Sequence, residues 1–199
     1  RISIPPTLLV SLIGRIPDVS RCATMDFKTE GDLVYCIGIT RRELGASEYA
    51  SYAGFQEHTV PLVRDFAQAL ACYRALHRAM SGGLVRAAHD CSDGGLGVAL
   101  CEMCFSGEMG ATIDCGKVIA EGCATDAGIL FSESRCRILV EVGKKEKSRF
   151  ERLFDELPCC CIGSVETGDD IAIEGVKGSS RTTVSRIEAK ARWKSGLHM

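Results

Sequence analysis

Between Leu84 and Phe105 a strand-like segment, a polar turn with two adjacent glycines and an apolar helical segment follow one another without a gap. Leu84 to His89 has the composition of a strand, Asp90 to Gly95 that of a turn, and Leu96 to Phe105 that of a helix. A strand that feeds directly into a helix lays that helix back on its own sheet. The unit therefore predicts helices layered on a sheet rather than a helix bundle or an all-β sandwich.

The same turn, His89-Asp90-Cys91-Ser92-Asp93-Gly94-Gly95-Leu96, carries the most informative chemistry of the chain. Such a turn presents backbone N–H groups and the positive end of a helix dipole, which together attract anions. Gly94 and Gly95 would let a ligand approach the backbone closely. Ser92 or Asp93 would equally serve as a helix cap, accepting the first free N–H groups. Both readings fit the spacing. The turn is neither a P-loop, lacking GxxxxGK[ST], nor a GxGxxG fingerprint. His89 beside it is a general-base candidate, but residue order reveals no partner, and a strand-end histidine fits a structural role as well.

Elsewhere strands and helices alternate. Leu8 to Ile13, entered from Pro5-Pro6 and closed by Gly14, reads as a strand, as does Leu33 to Ile39. The stretch Thr40 to Gln56 has no clear period and reads as a loop with one helical turn. Leu62, Phe66, Ala69, Leu70, Tyr73, Leu76 and Met80 recur at helical spacing, predicting a helix over 60–80 that opens near Pro61 and ends at Gly82-Gly83. Strands are expected at 111–113, 136–142, 159–165 and 171–173, and helices within 117–131, over 144–157 and over 187–193. Residues 176–184 are rich in Gly, Ser and Thr and read as linker. The expected organisation is one domain over 1–175, then a linker and short terminal helix over 176–199, with mixed α/β or α+β layers and no regular barrel.

Composition excludes several roles. A formal net charge of −2 gives no electrostatic support for binding nucleic acid. The apolar run Thr7 to Ile13 falls far short of the roughly 20 residues that span a bilayer, and it lacks the layout of a signal peptide. A cytoplasmic protein is the expectation. Twelve cysteines stand out, but most fall inside apolar segments, where free cysteine behaves as a small hydrophobe. Cys101-Glu-Met-Cys104 has no second pair to complete a zinc site, so reduced, mostly buried thiols are expected and no metal. The start at Arg1, almost directly into a strand-like run, looks like a boundary inside a longer protein.

Two further stretches carry polar groups. Glu43-Leu44-Gly45-Ala46-Ser47-Glu48-Tyr49 sets a small-residue turn between two carboxylates that would hold magnesium or a polar ligand, with Ser47 and Glu48 as contact candidates; taken locally, a solvated loop explains it better. Leu130-Phe131-Ser132-Glu133-Ser134-Arg135 is a polar turn ahead of the strand around Ile138. In this order, with Pro5-Pro6 before them and Ala99-Leu100-Cys101-Glu102-Met103 between, the three stretches resemble the C-terminal portion of the phosphoribosylformylglycinamidine synthases. Their pattern is close to "PP…G", "ELGGSEY", "HDVSDGGL…ALAEM" and "LFSES…R". Their superfamily also contains aminoimidazole ribonucleotide synthetase. The resemblance covers about 5–165, with a weaker echo at Trp193. Ala46 replaces a usual glycine and Cys91 a usual valine; a methyl group at 46 would strain a turn that needs positive φ.

The resemblance implies a layered α/β/α domain, partly ferredoxin-like, that closes over a cleft supplied largely by an N-terminal ATP-binding domain. It implies a part in the ATP- and magnesium-dependent conversion of formylglycinamide ribonucleotide to formylglycinamidine ribonucleotide, with ammonia from a glutaminase. The synthase carries two such domain pairs, and this chain resembles the second C-terminal one, so that it is expected to be inactive alone. Its candidate contacts for substrate or phosphate are Ser92, Asp93, Gly94 and Gly95, followed by Ser47 and Glu48. The expected partners are the N-terminal domains of the same enzyme, a glutaminase and a second copy of the chain, with neither nucleic acid nor membrane. A non-catalytic scaffold for dimer contacts or glutaminase docking is the alternative. A sister kinase with a similar aspartate-glycine turn is disfavoured by the "ELGASEY" and "LFSES" stretches.

Overall fold

Along the strand Leu33–Ile37 (β1) successive side chains enter two different cores: Val34 and Cys36 join one, Tyr35 and Ile37 the other. A strand buried on both faces needs a layer of helices on each side. In the computed structural model, which describes residues 9–54, 56–178 and 180–196, β1 is followed by β2 (Thr40–Arg41), α1 (Glu48–Ala53) and α2 (Phe66–Ser81). Next come β3 (Val85–Asp90), α3 (Gly95–Gly107), β4 (Gly110–Asp114), β5 (Ala120–Glu121), α4 (Asp126–Phe131) and β6 (Ile138–Val142). The chain ends through α5 (Lys147–Leu153), β7 (Cys159–Glu166), β8 (Asp170–Glu174), β9 (Arg181–Ser185) and α6 (Arg186–Ser195).

Seven strands form one sheet in the order β3-β6-β1-β7-β4-β8-β9, and β2 pairs with β5 apart from it. Every neighbouring pair in the large sheet is antiparallel except β4 and β8, so the sheet is mixed, as expected. On one face Leu96, Leu100 and Met103 of α3 and Ile129 of α4 pack on Leu139, Ile162 and Ile113. On the other, Cys72, Ala75, Leu76 and Ala79 of α2 and the Phe150–Phe154 pair meet Tyr35, Val140 and Val142. The layered α/β/α reading holds. The helix α3 is buried nearly all round because α4 and α6 cover the side turned away from the sheet.

Several expectations change. Residues 9–13 form no strand: Leu12 and Ile13 are 95% and 98% exposed, and the segment beside edge strand β3 is Thr24, bridged to Ala87. Leu8 and Pro5-Pro6 lie outside the described residues. The helix expected from 60 begins at Phe66, because Asp65 caps it by accepting from Gln68 N at 2.9 Å. Its apolar spacing mixes two faces: Phe66, Leu70 and Tyr73 are exposed, while small Cys72, Ala75 and Ala79 let the helix sit close to the sheet. Residues 181–184, read as part of the linker, belong to β9 on the edge beside β8, with Val184 opposite Ile171. Three of its five residues are β-branched, which suits a strand better than a flexible tether. The helical turn expected within 40–56 is α1, and the stretch also contains the strand β2, which was not expected.

All twelve cysteines are free thiols; Cys36, Cys72, Cys91, Cys104 and Cys115 are buried, and Cys22 is exposed. Burial pushes Cys91, Cys101 and Cys115 each up to about 11, the chemistry of packing residues rather than nucleophiles. Among the described residues no helix is long and apolar enough to cross a membrane.

Candidate functional site

The turn after β3 is built by its glycines. Gly94 and Gly95 both adopt positive φ, 76° and 67°. A Cβ on Gly95 would collide with the Ser132 carbonyl and stand 2.8 Å from that of Leu130, so side chains are excluded by sterics as well as by dihedral. The glycine pair therefore brings the start of α3 against the 130–134 segment. Gly94 occupies the N-cap of α3 and no side chain caps it, which removes the capping role considered for Ser92 and Asp93. Both are exposed. The Ser92 hydroxyl donates to Asp90 and holds that carboxyl below its usual range.

Ser47 is 2% exposed and already employed. Its hydroxyl donates to Leu44 O at 2.7 Å and accepts from Ala50 N at 3.1 Å, capping α1. Glu48 is exposed, and its backbone N–H turns inward. That N–H and the one of Gly94 both donate to a single oxygen, Oε1 of Glu133, at 3.0 Å each. One carboxylate thus joins the 43–49, 90–95 and 130–135 segments.

The backbone around Glu133 is fastened as well. Glu133 N donates to Glu43 O at 3.2 Å, Glu43 N to Ser132 Oγ at 3.3 Å, and Arg41 N to Ser134 Oγ at 2.9 Å. Beneath them lies Arg137, 1% exposed. Its guanidinium donates to Ser134 O at 3.2 Å, to Thr40 Oγ1 at 2.9 Å and to Ser132 O. No carboxylate lies within ion-pair distance of it among the described residues, so a buried positive charge faces the site from below. Glu43, also buried, pairs one oxygen with Arg64 at 3.2 Å, while Oε2 has no hydrogen-bond partner among the described residues. Tyr49 stacks flat on Phe131, centroids 4.8 Å apart, adding an apolar tie between two of the segments.

The structure brings Gly94, Gly95, Ser47 and Glu48 together, with Ser92 and Asp93 exposed at the rim. Sequence reasoning missed Glu133, Arg137 and Glu43. All three lie within or beside the quoted motifs, yet burial and hydrogen bonding are what separate them from ordinary surface charges. Ala46, which replaces a usual glycine, sits at φ 57°, the strained conformation anticipated for that position. His89, left without a partner by residue order, has one in Glu102. Cys91 fills an apolar core position, as a valine would. Exposed Asp93 and Glu48, with Asp90 and Glu133, make the rim acidic.

Residues 29–176 match the family model described as "AIR synthase related protein, C-terminal domain". The PurL subunit of phosphoribosylformylglycinamidine synthase from an Anaeromyxobacter species is 34% identical over 96% of this chain and 25% of its own length. Its counterpart from Thermococcus sibiricus is 38% identical over 77% of this chain and 21% of its own length. The chain thus spans about a quarter of the length of the curated relatives it matches. Among solved structures, Thermotoga maritima PurL in complex with FGAR superimposes with a TM-score of 0.73 at 20% identity, covering 86% of this chain and 30% of that one. The same protein in complex with ATP gives 0.70 at 19% identity, with 86% and 27% covered. The fold, the ordered motifs and the matched span agree: the chain belongs to the family of AIR synthase related C-terminal domains.

Proposed function

We propose that this chain is the C-terminal domain of a phosphoribosylformylglycinamidine synthase and contributes one wall of an ATP-dependent, amide-to-amidine ligase site. The observation that carries the reading is the convergence of three separated motifs on the Glu133 carboxylate. The relatives that the chain matches are named for this activity. The reaction activates an amide oxygen by phosphoryl transfer and then displaces it with ammonia, so positioning and charge stabilisation dominate the catalysis. Gly94, Gly95 and the start of α3 would receive a phosphoryl group, with Ser92 and Asp93 at the rim and buried Arg137 supplying positive potential from below. Ser47 would shape the site by fixing α1, and Glu48 would offer a carboxylate at its edge.

ATP and magnesium belong to the complete enzyme in this reading. The described residues hold no cluster of three or more metal-ligating side chains, so magnesium is assigned to ligands outside this chain and no step is drawn through it. The partners would be the N-terminal ATP-binding domains of the same enzyme, a glutaminase and a second copy, in the cytoplasm, and the isolated chain would be inactive. Isothermal calorimetry with ADP–magnesium, and separately with formylglycinamide ribonucleotide, tests the reading. Saturable binding lost in a folded Asp93→Ala, Gly94→Ala variant is the expected result for the complete enzyme. Unchanged binding and activity in that variant would remove the turn from the site.

A further inference from the structure

Trp193, the single tryptophan of the chain, lies on α6, far along the sequence from the glycine turn, yet polar contacts run from one to the other. Its indole N–H donates to Glu102 Oε1 at 3.1 Å. The second oxygen of Glu102 lies 2.8 Å from His89 Nε2. The other ring nitrogen of His89 faces Asp90 Oδ1 at 3.4 Å, and Asp90 Oδ2 takes the Ser92 hydroxyl. The series starts on α6, crosses α3 and β3, and ends in the turn. Glu102 and His89 are only 21% and 19% exposed, so their contact is shielded from water and stronger than a surface pair.

None of the residues of α6 is buried; besides the indole contact it is held by Trp193 against Phe105 (5.7 Å), Lys190 Nζ to Phe105 O (3.4 Å) and Arg186, which pairs with Asp169 (2.6 Å) and donates to Gly168 O (3.2 Å). Because Glu102 serves both rings, docking of α6 and orientation of the His89 imidazole depend on one carboxylate. The imidazole in turn faces the Asp90 carboxylate that anchors Ser92.

We infer that His89 and Glu102 are positioning residues of the Ser92–Gly95 turn and that docking of α6 through Trp193 sets the geometry of that turn. The functional part of this inference rests on the reading of the turn as a ligand contact. Its structural part is read without ligand, from NMR amide exchange of the 199-residue chain. In Glu102→Ala and in Trp193→Phe, exchange at Gly94 and Gly95 should rise about ten-fold, the equivalent of one net hydrogen bond, while the middle of α3 stays protected. Trp193→Phe keeps the aromatic packing on a partly exposed site, so it retains the fold if Glu102→Ala does not. Glu102→Gln, which can still accept from the indole and bond the imidazole, should restore protection. In Asp90→Ala the Trp193 emission should shift toward that of exposed indole, although the substitution does not touch Trp193. Unchanged exchange at the turn, a uniform rise along all of α3, or no Trp193 response to Asp90→Ala would overturn the inference, whatever ligands do. Calorimetry with ADP–magnesium separates the two readings. Heat with no change in Trp193 emission refutes the coupling and leaves the site reading standing. Coupling with no heat supports the positioning role and assigns ligand binding to the complete enzyme, where the N-terminal domains complete the site.

Discussion

Ala46 holds a left-handed backbone conformation at φ 57° that its own methyl group opposes. For an L-residue that conformation costs roughly 1–2 kcal/mol, and glycine relieves it at some entropic expense in the unfolded chain. Ala46→Gly should therefore stabilise the domain by up to about 1 kcal/mol, seen as a higher urea midpoint at constant m-value. A lower midpoint would mean that the methyl packs favourably enough to offset the strain. Glu133→Ala works in the other direction. It strips the shared acceptor from the part-buried N–H of Gly94 and the exposed one of Glu48, and should cost about 1 kcal/mol. Arg137→Leu should cost at least as much, since Ser132 O, Ser134 O and Thr40 Oγ1 all lose a charged donor. Equilibrium unfolding of each variant checks these values. These residues stand inside motifs that were legible, but their importance was not, because a carboxylate or guanidinium in a string carries no mark of what surrounds it.

Among the elements, β6 carries an acid into the core. Glu141 is fully buried, accepts from Lys28 N at 2.9 Å and Thr29 N at 3.0 Å, and lies beside buried Asp32. Desolvation, with a smaller push from the Asp32 carboxyl, raises it from 4.5 to about 7, against the two backbone N–H groups that favour the charged form. The folded state thus keeps a proton that the unfolded chain has already released. The associated stability is complete below about 4.5 and is lost as the pH rises to about 7. The unfolding free energy from urea titration should fall between pH 5 and pH 8 by up to about 3 kcal/mol from this group, and Glu141→Gln should flatten the slope. A stability that climbs over that interval would exclude a protonated Glu141. The period-2 pattern located β6 but gave no hint that one of its inward positions is acidic by design of its neighbours. The same limit applies to α2, where apolar residues on two faces produced one apparent stripe, and to β9, whose threonines read as linker until β8 supplied a partner.

For the molecule as a whole, the thiols offer a direct test of packing. Cys22 is exposed, whereas Cys36, Cys72, Cys91, Cys104 and Cys115 are buried. Native-state titration with an aromatic disulfide should modify Cys22 promptly and leave those five until unfolding. Prompt reaction of Cys91 or Cys115 would show a looser core than the layered packing implies. Local periodicity and turn chemistry sufficed for the βα unit at 84–105, for most strands and for the layered class, because each of those signals is carried by neighbours in the chain. The order of the motifs sufficed for the family. Only the tertiary structure decided that Glu133 closes the glycine turn onto α1, that Arg137 lies buried beneath it, that 9–13 pairs with nothing in the sheet, and that His89 reaches Trp193 through Glu102. Most of those contacts join groups far apart in the chain, and their energies depend on burial and distance, which a linear order of residues does not contain.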